Sequence, residues 1–240
     1  HSAGYSEKII RECLKIFDNV SIDLIYSLPN QKKDNLINSL KKVIELNVPH
    51  VSAYTLIFEE QTKLYNLFRK NLVTKNEDSL EAELYSLVTD FLTSRGFNHY
   101  EVSNYAKPGY QSKHNLKYWS YENYVGFGPS AHSLYNGRRW NNYRDIVKYN
   151  LSLQNGSLPI ENEIILNKDM IRLEFIMLAL RSKGVDFNRY ESMFDEKFTE
   201  KYISSISELV NNNLGVISSD NFKLNENGFR LTDEIIAKYF

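Results

Sequence analysis

Val20-Ser-Ile-Asp-Leu-Ile-Tyr26, closed by Leu28-Pro29-Asn30, is a short β-rich run that stops at a turn signal. Directly after it, Leu36, Ile37, Leu40, Val43, Ile44 and Leu46 recur at the spacing of one helix face over residues 33–46. Val48-Pro49 ends that helix, and His50 to Phe58 reads as a second strand. Upstream, Ile9, Ile10, Leu14 and Phe17 have helical spacing over residues 5–17. Helix, strand, helix, strand with tight turns is the βαβ rhythm of a parallel sheet with crossover helices. The near-continuous apolar strands suit a sheet covered on its outer face. The rhythm is expected to run once more. Leu80, Leu84, Leu87, Val88, Phe91 and Leu92 predict a helix over 77–95, stopped at Arg95-Gly96. His99–Tyr105 then reads as one further strand, turned by Lys107-Pro108-Gly109.

Beyond this the pattern is irregular and aromatic. The chain holds 13 Phe, 17 Tyr and 2 Trp, and thirteen of these lie between Phe97 and Tyr149. Such a cluster is either a bulky core or a surface for a flat ligand, and composition does not choose. Asn136-Gly137, between Ser133-Leu-Tyr135 and Arg138-Arg-Trp140, signals a type I′ hairpin. Asn155-Gly156 and Pro159 read as a linker. From Asn167 the texture changes: helices are predicted over 168–182, 186–194 and 195–212, a strand–turn–strand over Gly215–Leu224, and a closing helix over Leu231–Phe240. Three helices and a small hairpin form a winged-helix-like pattern. With 10 basic and 12 acidic residues in 168–240, that pattern is expected to be a structural cap and not a DNA reader.

The whole chain tells the same story. Lys+Arg 29 against Asp+Glu 30 leaves a net charge of −1 in 240 residues, which argues against a nucleic-acid partner. Cys13 is the sole cysteine. It excludes an internal disulfide and any all-cysteine metal or iron–sulfur site built from this sequence. No apolar run approaches membrane-spanning length. A cytoplasmic location is expected.

Four stretches carry candidate chemistry. In Ile22-Asp23-Leu-Ile-Tyr-Ser-Leu-Pro29, Asp23 interrupts an apolar strand, so it must meet water, a partner or a ligand. The bland alternative is a satisfied structural Asp. In Ser52-Ala-Tyr-Thr-Leu-Ile57, alternation places Ser52, Tyr54 and Leu56 on one face and Ala53, Thr55 and Ile57 on the other. Packing is its plainer explanation. Gly126-Phe-Gly-Pro-Ser-Ala-His132-Ser133 offers G-x-G-x-x-A, but Pro129 and the hairpin that follows fit a dinucleotide fingerprint poorly. Its glycines would still permit close approach of a ligand, with His132 lining the site. His114-Asn-Leu-Lys-Tyr118-Trp119 sets an imidazole beside a Tyr-Trp pair. Imidazole can ligate haem iron and aromatic rings can lie against the macrocycle, though a lone histidine is more often structural.

Tyr100-Glu-Val-Ser-Asn-Tyr-Ala-Lys-Pro-Gly109, running on to His114-Asn-Leu-Lys-Tyr-Trp119, resembles the haem chaperone family often called HemW. These are radical S-adenosylmethionine (SAM) proteins related to oxygen-independent coproporphyrinogen III oxidase. The Asp23–Pro29 and Gly126–Ser133 stretches resemble two further family blocks, with Ser27 where glycine is usual. The resemblance implies an α/β fold: the C-terminal part of a partial (β/α) radical SAM barrel, an aromatic-rich β extension, and a winged-helix-like helical domain. It suggests residues 1–58 as barrel, 59–166 as a barrel-completing helix with the aromatic β-rich region, and 167–240 as the C-terminal domain. It also implies Asp23, Ile57 and His132 as SAM contacts. His114 becomes a haem-iron ligand, with Tyr118 and Trp119 beside it.

The family's C-x-x-x-C-x-x-C loop, which holds a 4Fe–4S cluster, is not in this sequence. His1-Ser2 resembles the end of an R-x-H-S/T stretch midway through the family barrel, so the cluster-binding half is expected to lie outside this chain. The chain alone is not expected to cleave SAM. The implied function is haem binding and delivery to haem-accepting proteins, with membrane contact only through those partners. The alternatives are an oxidase acting on coproporphyrinogen III and a structural fragment without activity. An unpaired edge at Ser21–Tyr26 would favour self-association.

Overall fold

The computed structural model describes residues 2–240; His1, and the reading placed on it, lie outside the described residues. The chain divides into two compact units, 1–112 and 113–240. Residues 59–112 therefore go with the first unit and residues 113–166 with the second.

The first unit runs α1 (Ala3–Leu14), β1 (Ser21–Tyr26), α2 (Lys33–Leu46), β2 (His50–Thr55), α3 (Lys63–Arg69), α4 (Asp78–Thr93), β3 (Asn98–Glu101) and β4 (Asn104–Ala106). Helix α2 buries Leu36, Leu40, Val43 and Leu46, the stripe its sequence announces. It stops at Asn47, whose left-handed backbone (φ 55) asparagine tolerates well. The core is closed by Leu84, Val88 and Leu92 of α4 with Val51 and Tyr105.

The sheet order is β1-β2-β4-β3. Strands β1 and β2 are parallel, with Ser21 opposite His50 and Asp23 opposite Ser52. The predicted third parallel step does not occur. Residues 98–106 form a hairpin instead, and β4 lies antiparallel to β2. The chain reverses at Val102-Ser103, where a bulge between His99 and Glu101 adds the local bend a tight reversal needs.

Ser27 answers the glycine-to-serine departure. It sits at φ 59, a region costly for residues with a Cβ. Its hydroxyl donates to Glu81 (3.1 Å) and accepts from Asn76 (3.0 Å), and the residue is buried. These bonds tie the β1–α2 turn to α4 and offset the strain. Ser27→Ala keeps the strain and loses the bonds, whereas Ser27→Gly loses the bonds and relieves the strain. Urea unfolding is expected to rank Ala below Gly by about 1–2 kcal/mol. Equal midpoints would contradict this account.

The second unit runs α5 (Lys113–Trp119), β5 (His132–Tyr135), β6 (Arg138–Asn142), α6 (Ile146–Gln154), β7 (Ile160–Ile165), α7 (Lys168–Leu180), β8 (Val185–Asp186), α8 (Phe187–Phe194), α9 (Phe198–Lys201), α10 (Ile203–Asn211), β9 (Gly215–Ile217), β10 (Asn221–Leu224), α11 (Glu226–Phe229) and α12 (Thr232–Tyr239). Positive φ at both Asn136 and Gly137 makes the β5–β6 turn type I′, as its sequence predicts. The expected linker is a short connection between α6 and β7. Asn155 and Gly156 end α6, and residues 160–165 pair with β6 as the third strand of that sheet. Farther on, β8-β10-β9 form a second small sheet. Phe175, Tyr190, Phe194, Phe198 and Phe222 are buried around it, with Tyr190 and Phe198 ring centroids 5.1 Å apart. No helix among the described residues is long and apolar enough to cross a membrane.

Candidate functional site

The first unit's sheet has two unlike faces. Ile22, Leu24, Tyr26, Val51, Ala53 and Tyr105 pack into the helix-covered core. Because side chains alternate, Ser21, Asp23 and Ile25 point to the other face, alongside His50, Ser52 and Tyr54. Asn104 stands next to Ser52. A one-residue slip would invert both faces, so burial of one fixes the composition of the other. Asp23 is exposed and has no hydrogen-bond or ion-pair partner among the described residues. An exposed, unpartnered carboxylate on a polar strand face suits a ligand with hydroxyl donors. Ile57 lies two residues beyond β2 and is 71 % exposed.

Two titratable groups line the hairpin, Glu101 buried and His99 half-buried. Glu101 is 1 % exposed, and burial pushes its carboxyl up to about 7 against donors from Asn104 and the Ser103 backbone. Burial pulls His99 down to about 4, and its ring stacks on Tyr105 at 4.3 Å. Sequence reading singled out neither, because a strand pattern does not reveal which alternate residue is enclosed.

In the second unit, His114 and Tyr118 are i and i+4 on α5 and meet edge to face at 4.9 Å. Tyr118 in turn meets Tyr124 at 4.6 Å. His114 is exposed. Trp119, one residue on, turns away by the helical step, and its buried indole Nε1 has no hydrogen-bond partner. The aromatic trio predicted as one surface is thus a His114–Tyr118 pair with Trp119 apart from it.

Tyr118 and Tyr124 also wall a largely apolar recess that Arg139 and Glu174 line as well. There Arg139 grips Glu174 through two bonds (2.5 and 2.7 Å), and the Tyr121 hydroxyl donates to the same carboxylate at 3.0 Å. Burial, then the Glu174 charge, raises the Tyr121 phenol well above its ordinary value. These residues were not foreseen, since Arg139 and Glu174 are joined only by tertiary folding.

His132 opens β5 and is exposed, opposite Asn141. The neighbouring loop is closed on itself. Gly126 N–H donates to Ser133 Oγ (3.0 Å), and Gly128 N–H donates to Tyr149 (3.1 Å). The Asn142 amide donates to both glycine carbonyls. A Cβ on Gly126 would lie 2.3 Å from the His132 carbonyl oxygen. At Gly126 the close approach is to the chain's own backbone, whereas Gly128 has open space where a Cβ would be. These N–H groups are committed, in keeping with the poor fit to a dinucleotide fingerprint.

Among the described residues no three His, Cys, Asp or Glu side chains are grouped to hold a metal ion. With one cysteine besides, the residues present do not fit a 4Fe–4S cluster.

Comparison with known proteins bears on what this geometry serves. Over 223 residues the chain is 33% identical to "Heme chaperone HemW" of Lactococcus lactis, covering 93% of this chain and 59% of the relative. It is 31% identical over 224 residues to the protein of the same name from Bacillus subtilis, with the same coverage. Residues 166–231 match the family described as HemN C-terminal domain. The chain is similar to HemW-type haem chaperones over nearly its whole length. It spans about three fifths of the length of these relatives (59%). Coproporphyrinogen III oxidase (HemN) of Escherichia coli, described as a radical SAM enzyme, superposes with a TM-score of 0.78 over 99% of this chain and 58% of that one. At 18% identity this shows a shared mixed α/β fold. That similarity makes the blocks at Asp23–Pro29, Tyr100–Trp119 and Gly126–Ser133 the places to look for ligand contacts.

Proposed function

We propose that the chain is part of a cytoplasmic haem chaperone that binds haem and passes it to haem-accepting proteins, with His114 as an axial ligand of the iron. The observation that carries this is the exposed His114 imidazole, set edge to face on Tyr118 at the head of α5. An accessible imidazole beside a ring that can cover part of a macrocycle has the chemistry the relatives' name calls for. Trp119 takes a secondary place, its buried Nε1 lying off the His114–Tyr118 face. The relatives' names favour the chaperone over the oxidase and over an inactive fragment.

SAM, on this reading, is held by Asp23, whose carboxylate accepts hydroxyl hydrogens, with Ile57 as an apolar contact in the first unit. His132 is a separate candidate ligand contact within the second unit. A 4Fe–4S cluster would supply electrons to SAM, and its ligands would belong to a longer protein of which this chain is a portion. Self-association through the outer edge of β1, the sheet's terminal strand, belongs to the same proposal.

Haem titration followed at the Soret band tests the reading. Wild type is expected to show a ligated spectrum. His114→Ala is expected to lose at least about tenfold in affinity, since even outer-shell partners of metal ligands cost that much. Identical titrations, or no binding by either, would remove His114 from the site.

A further inference from the structure

His50 is 4 % exposed, yet both of its ring nitrogens are engaged. Nδ1 lies 2.6 Å from Ser21 Oγ, and Nε2 lies 2.7 Å from the Tyr100 hydroxyl. The backbone N–H of Ser112 donates to that same hydroxyl oxygen at 3.2 Å. A neutral imidazole has one N–H and one lone pair, so the two ends of this chain of bonds cannot be set independently.

The Tyr100 end decides the direction. A phenol is a better donor than acceptor, because its oxygen lone pair is shared with the ring. The Ser112 N–H already occupies its acceptor side. Burial also holds the Tyr100 proton firmly, pushing its pKa up to about 12. Tyr100 O–H therefore donates to Nε2, the imidazole hydrogen sits on Nδ1, and Nδ1–H donates to Ser21 Oγ. A serine hydroxyl that accepts in this way keeps its own hydrogen for another acceptor.

Ser21 is exposed at the start of β1 and shares a face with Asp23. Two residues along a strand are about 6.6 Å apart. The face thus offers a hydroxyl donor and a carboxylate acceptor within the span of one nucleoside. We propose that Ser21 is a second ligand-binding residue beside Asp23, its hydroxyl held as a donor by His50 and Tyr100. This rests on the reading of Asp23 as a ribose contact. One ribose hydroxyl donates to Asp23, and another oxygen or a ring nitrogen of the same adenosyl group accepts from Ser21. His50 and Tyr100 are positioning residues; neither touches the ligand.

Two measurements on the 240-residue chain test this. Imidazole nitrogen NMR reads the His50 tautomer in wild type and in Tyr100→Phe. Equilibrium dialysis with S-adenosylmethionine reads affinity in wild type, Ser21→Ala, Ser21→Thr and Asp23→Asn. The Nδ1–H tautomer is expected in wild type, moving toward a mixture in Tyr100→Phe. Ser21→Ala is expected to bind about five- to tenfold more weakly, the loss of one good hydrogen bond, with Ser21→Thr restoring affinity. A dominant Nε2–H tautomer would overturn the proposal. So would wild-type affinity in Ser21→Ala alongside a loss in Asp23→Asn. If wild type and Asp23→Asn both fail to bind, the ribose reading of Asp23 falls. The tautomer then decides the direction of the relay by itself, Nδ1–H upholding it and Nε2–H ending it.

Discussion

Between pH 4.5 and 6.5 the β3–β4 hairpin of Glu101→Gln is expected to lose stability against wild type as the pH falls, whereas that of His99→Phe loses it as the pH rises. Two titratable groups in one hairpin act in opposite senses. Glu101 is raised by burial from 4.5 to about 7, so the folded chain keeps a proton that the unfolded chain releases. Its contribution is fully present below pH 4.5 and is lost as the pH rises through about 7. His99 is lowered by burial from 6.5 to about 4. The folded chain then stays neutral where the unfolded chain takes up a proton. Its contribution is present above pH 6.5 and is lost as the pH falls through about 4. Each displacement is worth about 3 kcal/mol, and in the overlap each slope is about 1.4 kcal/mol per pH unit. In wild type the two slopes cancel, and removing either group uncovers the other. Amide exchange of peptides spanning residues 98–106 gives the hairpin's opening free energy directly. Parallel pH profiles for wild type and both variants would refute the opposition.

Gly184→Ala is expected to unfold much of the second unit's small β8-β10-β9 sheet, at a cost of more than about 3 kcal/mol. Gly184 has φ +87, and a Cβ there would lie 2.3 Å from the Phe222 carbonyl oxygen and 2.5 Å from Lys223 Cβ. Its own N–H closes α7 on Ala179 at 2.8 Å. The added methyl can be accommodated only by pushing β8 off β10, which uncovers buried Val185 and Phe222. Gly156→Ala is the control. Its φ is +69 but nothing lies within 4 Å of the new Cβ, so only backbone strain of about 1–2 kcal/mol is expected. Both tryptophans, Trp119 and Trp140, lie in the second unit, so fluorescence-detected urea unfolding reports on it alone. Equal midpoints for the two variants would show that the sheet yields more easily than its geometry implies.

Which parts of the fold were legible follows from where the deciding forces lie. Helices α2, α4 and α7 are each amphipathic over 13 residues or more, so their own sequence dictates the buried face. Asn136-Gly137 was legible because only such residues adopt positive φ at both turn positions without strain. The single strand read over His99–Tyr105 is a hairpin instead, because Val102-Ser103 carries no Gly, Pro or Asn to mark the reversal. Strand β7 has no signal of its own because Glu161, Asn162 and Glu163 are polar on both faces, and its existence depends on pairing with β6.

The sites divide in the same way. By itself the sequence determined that Asp23, interrupting an apolar strand, must meet water, a partner or a ligand. That follows from local periodicity, whereas the helix that brings His114 onto Tyr118 appeared only in the structure. Only the tertiary structure decided that His50 joins Ser21 to Tyr100, that Glu101 and His99 are enclosed in one hairpin, and that Arg139 closes on Glu174. Those contacts join residues separated by up to 50 positions, or depend on how completely a neighbour excludes water. Local periodicity carries neither kind of information.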